Sequence, residues 1–500
     1  MKKNLLGFLM LMSMCMLVNS TNVKDIKHTM KCATHFMMDS VSHNGGFVWN
    51  YLLDQSRCWG ELEASPSMVW VQAPGTPEVG NVLLEAYNVT SDEYYYQQAC
   101  KVANILIKGQ HKSGGWNYCF DINGEDSLKK WYATIGRCAW RLEEFQHYYG
   151  NATFDDRVTI NAGRFFLNLY LTKKDSTYFT VLNKVIKFVC DSQYDNGGWP
   201  QRFPLMHDHP FKGMEDYSGF ITLNDEVLMG NINFLKDCRD KLHRSDLDNP
   251  IKRAMYLIPK LQQPKPFAGW SDQYTIEMKP AHARSYEPKA INSSTTIQMI
   301  WTCRDFFAQT GDSVFIRRIP EAIEYLQSLS LGENDIKKWN RPSRFKNAIL
   351  VPRFVDPDTG RPLYVHRCGT NVFNGQYYTN EELTGTIGHY SSATWLNLDW
   401  LTKHYVRNNI HTKKHRADVD KIIKSLDARG RWITPISEDS HPYKPLTADE
   451  KVDADSKLFV STLVGDEYDT SPFSPTTQVM GISTAVYISN MKQLIESLKK

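Results

Sequence analysis

The chain has 500 residues, 12% of them aromatic and 23% charged, a composition of a globular protein rather than a disordered or fibrous one. Its formal net charge of +3, two units of it from Lys2 and Lys3, speaks against a nucleic-acid binder. Ten cysteines at irregular spacing, with no CxxC pair, argue against a zinc site or a full disulfide framework.

The opening MKKNLLGFLMLMSMCMLVNSTN pairs a lysine-bearing start with an apolar run from Leu5 to Val18 and a small-residue end. That is the pattern of a secretory signal peptide over residues 1–20, its apolar part too short to span a bilayer comfortably. The mature chain is expected to be exported, periplasmic or secreted, with no transmembrane segment. A helix beginning near Val23 leads to HNGGFVWNY at 43–51. Beyond it, Asp92, Tyr95, Val102, Gln110, Gly114, Gly115 and Trp116 recur as Asp175, Tyr178, Val185, Gln193, Gly197, Gly198 and Trp199, at one offset of 83 residues. Each copy reads as a helix, a short polar turn, a longer amphipathic helix and then GGW. HNGGFVWNY looks like a third, weaker copy. Helix pairs of this kind stack to bury faces that none buries alone.

Further along, NDEVLMGNINFLKDCRDKL predicts a helix with an Asn-Asp cap, running to about Leu242. SSTTIQMIWTCRDFFAQTGD and SVFIRRIPEAIEYLQSLSL predict another pair. The stretch 264–290, rich in Pro, Gly and aromatics, predicts a long loop over one rim, and 344–380 short strands. SSATWLNLDWLTKHYVR predicts a return to helix, 429–480 a loop, and the region from about Ile482 a last helix. The expected fold is all-α, an α/α toroid of helical hairpins with long loops and short strands at one rim. The expected division is a signal peptide at 1–20, N-terminal hairpin repeats at 21–144, a catalytic core at 145–410 and a C-terminal extension at 411–500.

Asp155 and Asp156 in NATFDDRVTINAG precede a helix, which one of them can cap by satisfying free N–H groups and opposing the dipole. Asp225, in GFITLNDEVL, stands the same way after a further hairpin. Carboxylates at rim positions are also hard-oxygen ligands of the kind calcium takes. Arg284, Arg353 and Arg367 each lie in a loop-like segment beside aromatics and prolines, and arginine suits bidentate carboxylate binding. Acidic rim loops with three such arginines suggest a site for a polyanionic carboxylate chain. Trp199, Trp270, Tyr286 and Phe354 are candidates either to stack on sugar faces or to wedge beneath loops, and the repeat favours the wedge for Trp199. There is no HExxH, GxSxG, Walker loop or Cys-His pair at a credible position, and the histidines of LMHDHPF lack an evident partner ligand.

GGWPQRFP (197–204), followed by Tyr217 and ITLND (221–225), ARSYEP (283–288) and PRFVDPDTGRPLYVHR (352–367), resembles the family 10 pectate lyases, in order over about residues 145–395. FDDRVT (154–159) is similar to that family's Asp-Asn-Gly-Ala-Thr helix start. The resemblance implies an α/α toroid and calcium-assisted anti-β-elimination on α-1,4-linked galacturonan (pectate) or a related uronan, an acidic polysaccharide partner. Arg284 matches the catalytic base, Asp155 the acidic residue of the calcium and substrate site, and Asp156 falls where the family has Asn. Arg353 and Arg367 match arginines that bind substrate carboxylates, and Asn224 and Asp225 the ITxND pair. The metal candidates are thus Asp155, Asp156 and Asp225, and the substrate-binding candidates Arg353, Arg367, Asn224, Tyr286 and Trp199. An arginine base, with a free pKa above ~12, requires a neighbouring cation that disfavours its protonated form. The chain departs from the family in the insertion HDHPFKGMEDY and in TGTIGHYSSATW, which replaces an acidic-arginine-arginine run. A non-catalytic uronan-binding relative and a glycoside hydrolase on the same toroid are the alternatives.

Overall fold

The computed structural model describes residues 22–136, 142–206, 214–339, 343, 346–368, 376–384, 392–402, 419–437 and 478–499. The expected signal peptide and residues 207–213 of the HDHPFKGMEDY insertion lie outside the described residues.

After α1 (Val23–Phe36), capped by the Asn22 side chain, local signals turn each hairpin in the same manner. Helix α2 (Thr76–Thr90) ends at Ser91 in the left-handed region, and Asp92 then caps α3 (Glu93–Lys108) by accepting from the Tyr94 N–H. Helix α4 (Val158–Lys173) ends at left-handed Lys174, and Asp175 caps α5 (Ser176–Asp191) through the Thr177 N–H. Helices α6 (Val227–Leu242) and α7 (Asp248–Leu261) join beyond left-handed His243. Helix α8 (Ser293–Thr310) ends at Gly311, with α9 (Ile319–Ser328) following. Among the first member of each pair, α2 packs on α4 and α4 on α6, while α3, α5 and α7 lie behind them.

A tryptophan closes four of the outer helices. The Nε1–H groups of Trp116, Trp199, Trp270 and Trp432 donate to the carbonyls of Leu106, Val189, Ile258 and Ile422 at 2.8–3.0 Å. A glutamine before the turn donates to a carbonyl within it at three of these places: Gln110 to Gly114, Gln193 to Gly197 and Gln262 to Ala268. Gly197 is needed in GGW because its φ is +101° and a Cβ there would lie 2.5 Å from the Arg253 carbonyl oxygen. A threonine at the start of the next inner helix locks the aromatic residue of the turn. Thr76, Thr159 and Thr296 hydroxyls accept from the N–H groups of Phe47, Trp116 and Trp270. Phe47 thus stands where the other copies carry tryptophan, so HNGGFVWNY is a copy of the turn, as expected.

The strands are two to seven residues long and fall between the end of an outer helix and the start of an inner one, which gathers them at one rim. Ala152–Thr153 pairs with Arg202–Phe203, Ile221–Thr222 with Gln273–Tyr274, and Ile291–Asn292 with Phe354–Val355. The protein is an α/α toroid of helical hairpins, and its described helices do not form a closed barrel. No described helix is long and apolar enough to cross a membrane.

Several expectations need correction. SSATW is not helical: Ala393–Asn397 pairs as a strand with Ala348–Pro352, and a short helix, Leu398–Thr402, follows it. The 264–290 loop contains a hairpin, Gln273–Tyr274 with Pro280–Ala281. Asn224 and Asp225 do not cap α6, since Glu226 occupies that position without a side-chain cap bond. The C-terminal section is not an appendage. Helix α10 (Val419–Lys424), Trp432 and α11 (Thr484–Leu498) repeat the outer helix, wedge and inner helix of the other hairpins, and α11 packs on α1 and α2. One apolar core runs from Ile26 to Ile495.

Candidate active site

Two inner helices begin on the same unusual backbone. After Ala152–Thr153 the chain passes through Asp156 and Arg157, both left-handed (φ 48° and 61°), into α4. After Ile221–Thr222 it passes through Asp225 and Glu226 (φ 50° and 60°) into α6. Left-handed non-glycine residues cost roughly 1–3 kcal/mol each and concentrate at functional sites. Asp156 and Asp225 are equivalent in this motif, which accounts for two carboxylates at one rim better than helix capping does.

Arg284 comes to meet them from the 281–290 loop. The loop is fixed by its own contacts: the Ala283 N–H donates to Glu287 O, the Glu287 N–H to Arg284 O, and the Arg284 N–H to Glu287 Oε2 at 3.0 Å. The guanidinium is 5% exposed. Its Nε donates to Glu144 Oε2 at 2.9 Å, its Nη2 to Asp155 Oδ2 at 3.0 Å, and its Nη1 lies 3.3 Å from Glu287 Oε2 and 3.8 Å from Asp225 Oδ2. The Tyr118 hydroxyl also donates to Asp155 Oδ2, and Asp155 Oδ1 is buried with no hydrogen-bond partner. Asn224 donates to Asp225 Oδ2 at 2.8 Å while its own oxygen accepts from Gln273. Asp156 Oδ2 accepts from Gln72 Nε2 at 2.7 Å.

Four carboxylates therefore surround one guanidinium. Burial works against the charged form of Arg284, but Glu144, Glu287 and nearby tyrosines outweigh it and hold the group well above the ordinary arginine range. The surplus negative charge shows in the acids. Burial, then repulsion from Asp155, pushes Asp225 well above the usual carboxylate range and Asp156 up to about 6. Burial also pushes Glu144 up to about 7, against the pull of Arg284, and Glu61 up to about 8, with Glu144 and Asp156 adding to it.

The structure thus brings together Arg284, Asp155, Asp225 and Asn224, with Asp156 behind them on Gln72. Arg353 belongs to the next turn of the rim. Its carbonyl accepts from the Ser293 N–H, its N–H donates to Ser392 O, and its charge acts on buried Asp272. Arg367 pairs with Tyr377 in the Pro362–Cys368 strand, and its side chain lies outside the described residues. Two substrate candidates are corrected. Trp199 is fully buried under the turn it closes, and Tyr286 is 1% exposed in a small core with Ala290, Phe354 and Val365. Neither presents a ring to a sugar. Sequence reasoning missed Glu144, Glu287, Tyr118, Gln72 and Glu61. Glu287 carried a signal, three residues from Arg284 inside ARSYEP; Glu144 lies in no motif.

The oxygen donors are of the type a hard divalent cation takes, and Asp155 Oδ1 is buried without a hydrogen-bond partner. The cage is not preformed: among the described residues no three His, Cys, Asp or Glu side chains converge as a metal-binding group. Arg284, Asn224 and Gln72 hold the oxygens instead.

The model of the pectic acid lyase family matches residues 135–387, half of the chain. The chain belongs to the pectic acid lyase family. All four residues that face Arg284 fall within the matched span. Among solved structures, the chain is similar to a family 10 polysaccharide lyase from Cellvibrio cellulosa, at 18% identity and a TM-score of 0.37, over 57% of this chain and 84% of that one. A mutant of that lyase in complex with trigalacturonic acid matches at the same identity and TM-score, over 57% and 86%. A cellobiose 2-epimerase from Spirochaeta thermophila matches at 9% identity and a TM-score of 0.37, over 67% and 78%. No curated protein matches the chain by sequence. Membership of the pectic acid lyase family supports an enzyme acting on polysaccharides.

Proposed function

We propose that this pectic acid lyase relative is an exported polysaccharide lyase that cleaves pectate, or a closely related uronan, by calcium-assisted anti-β-elimination. The observation that carries the reading is the buried Arg284 set among Glu144, Asp155, Asp225 and Glu287 at the rim where the inner helices start. Asp155, Asp156 and Asp225 would hold the cation, which when bound supplies Lewis-acid polarisation of the C6 carboxylate and so acidifies the C5 proton. Arg284 can act as base only once Asp155 and Asp225 have partners other than its guanidinium and a nearby positive charge offsets Glu144 and Glu287, the carboxylates that chiefly hold it charged. Burial then disfavours its charged form with less opposition. The proton passes from C5 to the neutral guanidine, and the C5–H electron pair forms the C4–C5 double bond as C4–O4 breaks. The departing O4 takes a proton from solvent. Arg353 and Arg367 would bind carboxylates of neighbouring sugars, with Asn224 holding Asp225 in place. Tyr118 keeps Asp155 Oδ2 occupied, leaving Oδ1 as the free oxygen.

Incubation with polygalacturonate, with calcium and with chelator, tests this. The expected result is a calcium-dependent rise in ultraviolet absorbance from the unsaturated product. Saturated reducing ends alone would instead mark a glycoside hydrolase, and binding without any product a non-catalytic uronan binder.

A further inference from the structure

Arg202 is a second buried cation beside the site, and the mechanism above does not use it. It lies in the Arg202–Phe203 strand directly after the tryptophan turn, and it is 2% exposed. Buried charges are normally paired with opposite ones. Here Nη1 lies 3.1 Å from Asn117 Oδ1 and 3.3 Å from Asn151 Oδ1. The rings of Tyr118 and Tyr149 have their centroids 5.0 and 4.6 Å from the guanidinium carbon. Nη2 is buried and donates to nothing. Amide oxygens and aromatic faces hold the guanidinium plane and fix where Nη2 points, but they bring no counter-charge. The preceding residue, Gln201, is 1% exposed and leaves both of its amide atoms without a partner. Such a pair of unanswered polar side chains calls for a ligand more than for packing.

The position relative to the reacting centre follows from Tyr118. One face of its ring is against Arg202, and its hydroxyl donates to the Asp155 oxygen that also takes Arg284. Arg202 is therefore one aromatic ring removed from the carboxylate cluster.

We propose that Arg202 Nη2 binds a carboxylate oxygen of the sugar next to the one handled by Arg284, so that Arg202 makes the enzyme select acidic over esterified uronan at that subsite. The inference rests on the uronan reading above. A carboxylate supplies the missing counter-charge together with a charge-assisted hydrogen bond, whereas a methyl ester supplies only a weak neutral acceptor. Hydrogen bonds to charged groups are worth enough to give a discrimination of about 10- to 100-fold.

The test uses the full chain with Arg202→Met, which keeps the stem without the charge, and Arg202→Lys, which keeps the charge without the fork. Melting temperature, KM and kcat on polygalacturonate and on highly methyl-esterified pectin, and calorimetric binding of trigalacturonate are measured for each. The expected result is a KM on polygalacturonate raised about tenfold or more with kcat within about threefold, and a preference over esterified pectin reduced by the same factor. Both variants keeping wild-type KM and preference, with only the melting temperature lowered, would overturn the proposal and leave Arg202 a structural cation. Where Arg202→Met does not fold, Arg202→Lys decides alone, because its altered fork must still raise KM. A wild type that binds trigalacturonate without forming unsaturated product, and loses that binding on substitution at Arg202, sinks the elimination reading and keeps this one. Product formation unaffected by either variant does the reverse, and a wild type that neither binds nor cleaves removes both.

Discussion

Arg284 meets Glu144, Asp155 and Glu287 within about hydrogen-bond reach and Asp225 at 3.8 Å, so its substitution removes the counter-charge of four carboxylates together with the proposed base. Leaving buried carboxylates unpaired costs roughly 3–5 kcal/mol, and Arg284→Ala should show a lowered melting temperature as well as lost turnover. Arg284→Lys is the sharper experiment. It retains the charge, so melting should change little, yet turnover should fall at least ~100-fold, because an ammonium cannot reproduce the planar fork. Tyr118→Phe leaves Asp155 Oδ2 without one of its two donors. Steady-state kinetics should show kcat reduced about tenfold with KM little changed, the cost of losing one hydrogen bond to a charged group. The acids also set a pH dependence. Glu144 and Glu61 are raised in the folded protein to about 7 and about 8 from 4.5. A carboxyl raised by folding binds its proton more tightly in the native state, so its contribution to stability is full below the unfolded value and lost as pH rises through the folded one. Melts in chelator should therefore show stability falling between pH 5 and 8, and calcium at pH 8 should restore part of it. A melting temperature that rises over this range would count against the surplus of buried carboxylates.

Trp199 and Trp116 perform the same task at successive outer helices, each fully buried and donating to a carbonyl ten residues back. Replacing either with Ala should cost roughly 3–5 kcal/mol, read as matching losses in denaturant melts. If Trp199→Ala kept its stability but lost oligosaccharide binding, the sugar-platform role would return. These elements were legible in the sequence because an 83-residue spacing repeats helix, turn and wedge together, and a repeat reports packing directly. The acidic residues were legible as identities but not as geometry. Aspartate before a helix satisfies the capping pattern, and nothing in the letters distinguishes a cap from the left-handed pair found at Asp156–Arg157 and Asp225–Glu226. Glu144 was invisible for another reason. It sits in a three-residue turn, Glu143–Phe145, brought to Arg284 only by tertiary folding, at the point where a sequence division at 144 and 145 had cut the site in two. SSATW was misread because pairing with Ala348–Pro352 overrides the local preference.

At the scale of the whole molecule, the last helix belongs with the first. Tyr487 of α11 shares a hydrogen bond with Thr34 of α1, the Thr484 hydroxyl donates to the Val48 carbonyl, and Gln478–Ser483 pairs with Asn50–Leu52. Leu494 is fully buried in the common core. Leu494→Ala should lower stability by about 2–5 kcal/mol, measured by chemical denaturation, although no hydrogen bond or ion pair among the described residues joins it to the carboxylate cluster. The site is tied to the same packing, since α2 and α4 stand side by side and α4 follows directly on Asp156–Arg157. This joining of the two ends bears on synthesis. A ribosome makes α1 and α2 before α11, and part of the surface they pack on arrives only with α11. Contacts separated by some 450 positions, such as Thr34 with Tyr487, form late and carry a large loop-closure cost. A nascent chain of this protein therefore cannot complete the packing of α1 and α2 until α11 has been made.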